Sequence, residues 1–218
     1  GIASYTSSFG GTSGATPIVA GYLGLFYDMW ADGIFGNEVI PGAGVFANRS
    51  AQSTAKAFLI NTAVPYDWTQ GGPNGNLTRP RQGWGMPSAI TMWEQRERTL
   101  VVDEEVVLGN LQSHTELVTV LPGEPALRVT LTWADPPGTT SSVQHRINDL
   151  DLVVTSPDGT VYRGNVGLLD GIWSEPNGER NTIDTVENVF VESPAPGPWT
   201  IRVEASELNV DGHVETPQ

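Results

Sequence analysis

Gly10-Gly11-Thr12-Ser13-Gly14-Ala15-Thr16-Pro17, running on through residues 18–30 as IVAGYLGLFYDMW, is the stretch on which the reading of this chain turns. No Asp, Glu, Lys, Arg or His occurs from Gly1 to Tyr27, so the segment is expected to be buried almost all round. Ile18, Tyr22, Leu25, Phe26, Met29 and Trp30 recur at helical spacing, and Pro17 falls where a first helical turn tolerates it. The pattern predicts a buried helix over 14–30 with Ser13 at its entrance. Glycines ahead of the serine let the backbone pack closely, and a helix beginning there leaves free N–H groups beside the hydroxyl. Such groups can stabilise a developing oxyanion. A serine in this position also serves as the plain N-cap of an ordinary buried helix.

Outward from this stretch the chain changes character near residue 98. A second helix is expected over 50–61, with Ser50 as N-cap ahead of AQSTAKAFLINTA. Residues 65–87 read as loop, and 88–98 as a short closing helix. Beyond residue 98 the period becomes that of strands. TLVVDEEVV, HTELVTV, ALRVTLTW, DLDLVVTS, TVYRG, VENVFVE and WTIRVEA alternate or run apolar, and several are separated by Pro-Gly, Pro-Pro-Gly, Pro-Asp-Gly and Pro-Gly-Pro. Short strands without intervening helices indicate an antiparallel sandwich or barrel. Two domains are therefore expected, 1–98 and 99–218.

The 218 residues carry 25 acidic and 11 basic side chains, a formal charge of −14. That balance argues against nucleic acid as a partner, because phosphate contacts need clustered Lys and Arg. No cysteine is present, which removes disulfides, thiol catalysis and Cys-ligated zinc. The most apolar stretch, 18–30, falls short of the roughly 20 residues that cross a bilayer. No membrane partner and no leader segment are expected. Asn48-Arg49-Ser50 and Asn76-Leu77-Thr78 match the acceptor pattern for N-glycosylation, a pattern common by chance.

Gly11-Thr12-Ser13-Gly14-Ala15-Thr16-Pro17 resembles the Gly-Thr-Ser-x-Ala-x-Pro serine motif of the subtilisin-like serine proteases. AQSTAKAFLINTA resembles that family's next helix, and Gln82-Gly83-Trp84-Gly85 resembles the Gly-x-Gly that closes its catalytic domain. ALRVTLTWADPPG, NDLDLVVTSPDGTVYRGN and VENVFVESPAPGPWTIRVEA are similar to the C-terminal β-domain of kexin-like bacterial alkaline members. The resemblance spans nearly the whole chain. It implies an incomplete α/β catalytic portion followed by an all-β antiparallel sandwich of jelly-roll type, in a secreted serine endopeptidase acting on peptide or protein substrates. Ser13 would be the acyl-enzyme nucleophile, with Gly11, Thr12, Gly14, Ala15 and Pro17 shaping its mount.

Two departures bear on this. The family commonly has Met where Gly14 stands, so an oxidisable sulfur is missing beside the nucleophile and tolerance of peroxide is expected. The family's catalytic Asp and His and its oxyanion Asn all precede the serine, whereas twelve residues precede Ser13. His114, His145 and His213 all lie in the β-rich part, and a serine without its base is a weak nucleophile. The chain reads as a piece of a longer protease that stops before a final strand. Alone it should be inactive, and its partner is the upstream half of the catalytic domain. An α/β-hydrolase is the poorer match, because Ala15 stands where the Gly-x-Ser-x-Gly elbow needs its last glycine.

A second reading stays open, a non-catalytic β-module stabilised by Ca²⁺. Asn148-Asp149-Leu150-Asp151 puts Asp149 and Asp151 on one strand face, where paired carboxylates repel unless a cation or donor joins them. Asp135, Asp158, Asp170, Asp184, Glu187 and Asn188 are further oxygen donors, and turn residues in solvent would look the same. The resemblance adds weight, since the related β-domains carry calcium. Trp133, Trp173 and Trp199 read as core or rim aromatics more readily than as a sugar-binding face.

Overall fold

The computed structural model describes residues 10–67, 75–104 and 106–212. His213 lies outside them. The helices are α1 (Thr12–Ala31), α2 (Gln52–Asn61), α3 (Arg79–Gln82) and α4 (Ala89–Gln95), the last running into a 3₁₀ turn at Arg96–Arg98. The strands are β1 (Ser113–Val120), β2 (Ala126–Thr132), β3 (Asp149–Thr155), β4 (Val161–Arg163), β5 (Val186–Glu192) and β6 (Gly197–Glu207). They form two antiparallel sheets, one ordered β1-β6-β3-β4 and the other β2-β5. The chain is thus mixed, helical before residue 98 and antiparallel β after it.

Two apolar clusters lie on either side of residue 98. The first gathers Phe26 and Trp30 of α1 with Phe35, Ala55, Phe58 and Met92. Its rings touch at centroid distances of 4.5 to 6.3 Å, a range in which edge and offset contacts add to burial. The second holds Val120, Leu152, Val154, Val189, Val191 and Trp199. Alternation explains its membership: Leu127, Val129 and Leu131 of β2 turn inward opposite Val191, Val189 and Glu187 of β5. Trp199 is buried, and its indole N–H donates to the Ala195 carbonyl at 2.8 Å.

Several sequence expectations need correction. The expected burial of the N-terminal stretch holds only on one face of the C-terminal half of α1, at Phe26 and Trp30; Ile18 is 51% and Leu25 53% exposed. The physical reason is that α2, α4 and Phe35 pack against that half, and among the described residues nothing covers the other. The helix also begins two residues early, at Thr12, so Pro17 lies past the first turn. The N-cap of α2 is Ala51 without a side-chain cap, while Ser50 Oγ donates to the Ala51 carbonyl instead. Ser88 caps α4, accepting from Thr91 N at 3.1 Å. The loop 65–87 contains the one-turn α3, started by Pro80 near its N-terminus. The described residues of TLVVDEEVV are in no strand, although all six other strand readings correspond to a strand. Both glycosylation patterns are occupied structurally: Asn48 Nδ2 donates to Ile40 and Ala43 carbonyls, and Asn76 Nδ2 to the Tyr66 carbonyl.

Candidate functional site

Ser13 stands in the first turn of α1 and is exposed. Gly11 sets the entry with φ at 73°, a left-handed value that side chains with a Cβ rarely adopt. Its carbonyl accepts from Gly14 N at 3.0 Å and Ala15 N at 3.1 Å, closing the first turn over the serine. Thr12 gives its carbonyl to Thr16 Oγ1 at 2.8 Å. The Thr12 and Ser13 N–H groups have no acceptor among the described residues, as expected at a helix start. Pro17 has no N–H to return to the Ser13 carbonyl four residues back. The result is an exposed hydroxyl in the first turn of a helix, beside free backbone donors and a positive helix end.

No base meets it among the described residues. His114 lies in β1, with Nε2 2.6 Å from Glu116 Oε1. His145 is exposed in the loop before β3. Ser13 as described therefore has part of a nucleophile's surroundings without the proton acceptor.

The second candidate is an acidic cluster at one end of the sandwich. Asp149, Asp151 and Glu187 are 1 to 2% exposed. A bulge in the β3–β6 register between Asp149 and Leu150 lets Asp149 oppose Glu207. Asp151 Oδ2 accepts from Arg180 Nη1 at 3.2 Å and from Ser206 Oγ. Asp149 Oδ1 lies 3.4 Å from Arg146 Nε, near enough for charge attraction, but that N–H points at the Thr182 carbonyl. Glu187 reaches from β5 to β3, where Oε2 accepts from Leu152 N at 2.6 Å beyond the end of β4. The buried oxygens Asp149 Oδ1, Asp151 Oδ1 and Glu187 Oε1 have no hydrogen-bond partner among the described residues.

Electrostatics follow from this burial. Glu187 is pushed up to about 8, first by loss of solvent and then by the negative charges of Asp151 and Asp149, against the opposing Leu152 N–H bond. Burial also raises Asp149, with Arg146 pulling the other way.

The remaining sequence candidates are placed elsewhere or satisfied by protein donors. Asp135 accepts from Ile147 N and Asn148 N at 2.7 and 2.8 Å. Asp158 closes a turn with Ser156 Oγ and Thr160 N, which hold its carboxyl below the usual range. Asp184 accepts from Arg79 Nη1 and Nη2 at 2.9 and 3.0 Å, and from Asn181 and Asn165 besides. The Arg79 bonds lead in lowering its carboxyl. Asn188 Oδ1 accepts from Thr130 Oγ1, and Asp170 is exposed. Arg146, which lies beside Asp149, and Arg180, which donates to Asp151, were not singled out from the sequence; Arg146 three residues before Asp149 was the available signal. Among the described residues, no three Asp, Glu or His side chains converge closely enough to hold a metal as they stand. The chemistry nonetheless suits a hard cation, since three buried oxygens lack donors.

No family model matches the chain, and no curated protein matches it. No helix among the described residues is long and apolar enough to cross a membrane.

Proposed function

We propose that the chain carries the nucleophile-bearing part of a subtilisin-type serine endopeptidase, with Ser13 as the acyl-enzyme nucleophile. The observation that supports this reading is the seating of Ser13: exposed, one residue into a 20-residue helix, behind a left-handed Gly11 and beside unused N–H groups. Ser13 Oγ attacks the scissile carbonyl, and its proton passes to a histidine supplied by polypeptide outside this chain. The oxyanion is held by the Ser13 N–H and a side-chain amide from that same polypeptide. Alone, the chain does not hydrolyse peptides.

The test is intact-mass spectrometry after treatment with a fluorophosphonate, on the protein purified from its source with whatever polypeptide accompanies it. One probe mass on the wild type and none on Ser13→Ala is the expected result. Peptidase activity that survives Ser13→Ala, or a folded active sample that stays unlabelled, overturns the reading.

A second element of the proposal is structural calcium in the β-region, supported by the orphaned oxygens of Asp149, Asp151 and Glu187. Bound there, Ca²⁺ would supply the positive charge these carboxylates lack. Calorimetric titration of the chelator-treated chain tests it; no heat at millimolar Ca²⁺ removes it.

A further inference from the structure

Residues 174–180 form a strap across two strand edges. Ser174 N donates to the Phe190 carbonyl of β5 at 2.7 Å, and its Oγ accepts from Phe190 N at 3.0 Å. Pro176 bridges to Tyr162 of β4, and Asn177 N donates to the Val161 carbonyl at 2.9 Å. The strap ends on Arg180, whose Nη1 donates to Asp151 Oδ2 at 3.2 Å. Edges covered in this way offer no template to another strand.

Two different demands fix the residues in the middle of the strap. Asn177 has φ at 60°, a left-handed value that Asn tolerates better than most residues with a Cβ. Gly178 owes its place to packing, because a Cβ there would fall 2.3 Å from Val166 Cγ1. Together they put an Asn-Gly pair in the strap. In such a pair no side chain on the second residue hinders attack of its backbone nitrogen on the Asn side-chain carbonyl. Asn74-Gly75 is the other Asn-Gly in the sequence, and Asn74 lies outside the described residues.

The peptide unit between Asn177 and Gly178 is unrestrained. Asn177 is exposed. Among the described residues its side-chain amide makes no hydrogen bond, its carbonyl accepts none and the Gly178 N–H donates none. Rotating this unit to bring Gly178 N onto Asn177 Cγ therefore breaks no hydrogen bond, and the Asn177 N–H can stay on Val161.

We propose that Asn177 is a site of spontaneous covalent modification that loosens the strap. Gly178 N loses its proton and attacks Asn177 Cγ. The bond from Cγ to the side-chain nitrogen breaks, and ammonia leaves with a proton. Water then opens the five-membered succinimide at either carbonyl, so that amide and water have become carboxylic acid and ammonia. Opening at Cγ gives aspartate, a new negative charge between the exposed Glu175 and Glu179. Opening at the backbone carbonyl gives isoaspartate and lengthens the main chain by one methylene. That extra length falls between the Val161 bond and Arg180, and it displaces Arg180 from the buried Asp151 carboxylate.

The test is to hold the full chain warm at mildly alkaline pH, digest it and map the products by mass spectrometry, with isoaspartate counted by enzymatic carboxyl methylation. The capped peptide Glu-Pro-Asn-Gly-Glu-Arg is the reference. Conversion at Asn177 is expected within thirtyfold of the peptide's rate, and faster as pH rises, because the attacking nitrogen must lose its proton. Asn177→Gly suits the left-handed φ and should show no conversion at this position. Wild type converted at Asn177 should melt about 2 to 4 °C below fresh protein, whereas Asn177→Gly held alongside it should melt as it did when fresh. Conversion slowed more than thirtyfold by the fold, or confined to Asn74, overturns the inference. Converted protein that melts with the fresh wild type overturns the loosening of the strap.

Discussion

Glu187 faces the inside of the sandwich because β5 presents its odd-numbered residues there, alongside Val189 and Val191. Gly164 makes room for it: a Cβ on that glycine would fall 2.1 Å from Glu187 Oε2. Gly164→Ala should therefore displace the carboxylate from Leu152 N and cost about 1 to 3 kcal/mol. Chemical denaturation checks this, and a loss below about 0.5 kcal/mol would mean that the pocket yields easily. The titration of Glu187 has a definite sign. Its folded value lies above the ordinary 4.5, at about 8, so the native state keeps a proton that the unfolded chain releases. This contribution is whole below about 4.5 and is lost as pH rises through about 8. In chelator-treated protein, the melting temperature should fall by several degrees between about pH 5 and pH 9. Glu187→Gln should flatten that slope. Millimolar Ca²⁺ should restore the alkaline loss if the cluster binds it.

Among the elements, the four-residue α3 does more than its length suggests. Arg79 at its start forks onto Asp184, and its guanidinium lies 4.8 Å from the Trp84 ring centroid. Trp84 in turn meets Phe190 of β5 edge-on, and Arg128 covers that ring at 4.6 Å. This chain of contacts ties the helical part to the smaller sheet. Both ends of the Arg79–Asp184 pair are about 30% exposed, so screening limits it to about 1 kcal/mol. A double-mutant cycle with Arg79→Ala and Asp184→Asn should return a coupling of that size. Because Arg79 holds the Asp184 carboxyl down, this stability is present above its ordinary value of 3.8 and fades as pH falls through the lower folded value. The acid limb of a stability profile should therefore be shallower in Arg79→Ala. Most strands were legible at this scale because alternation such as Leu127, Val129, Leu131 is a local property of the sequence. TLVVDEEVV is apolar in two runs around three acids and does not alternate; a strand also exists only where a partner offers its edge, and no stretch of sequence contains that fact. The cap of α2 failed similarly: Ser50 has the right chemistry, yet its hydroxyl turns to the Ala51 carbonyl. Ser13 was legible from its glycines and its helix, whereas the orphaned oxygens of the acidic cluster depend on the β5 register and the bulge at Asp149.

At the level of the whole molecule, charge and apolar surface oppose one another. Ile18, Tyr22 and Leu25 follow one stripe of α1 at i, i+4, i+7, adjoining the Phe26–Trp30 stripe that packs on Phe58. The stripe is open to solvent at Ile18 and Leu25, in a segment with no charged residue from Gly10 to Tyr27. Soluble monomers rarely leave such a surface bare. The formal charge of −14 resists contact between copies at low ionic strength, and salt shortens the reach of that repulsion to about 10 Å at 0.1 M. The isolated chain should thus sediment as a monomer in dilute buffer and associate progressively as salt is raised. Ile18→Glu with Leu25→Glu should abolish the association without changing the fold, because neither side chain belongs to the Phe26–Phe58 cluster. If polypeptide upstream of this chain completes a protease around Ser13, the same double substitution should weaken its recruitment by tenfold or more and lower fluorophosphonate labelling of Ser13 in parallel. Labelling unchanged by the double substitution would mean that this face of α1 stays bare in the working enzyme, and the companion would have to reach Ser13 from another side.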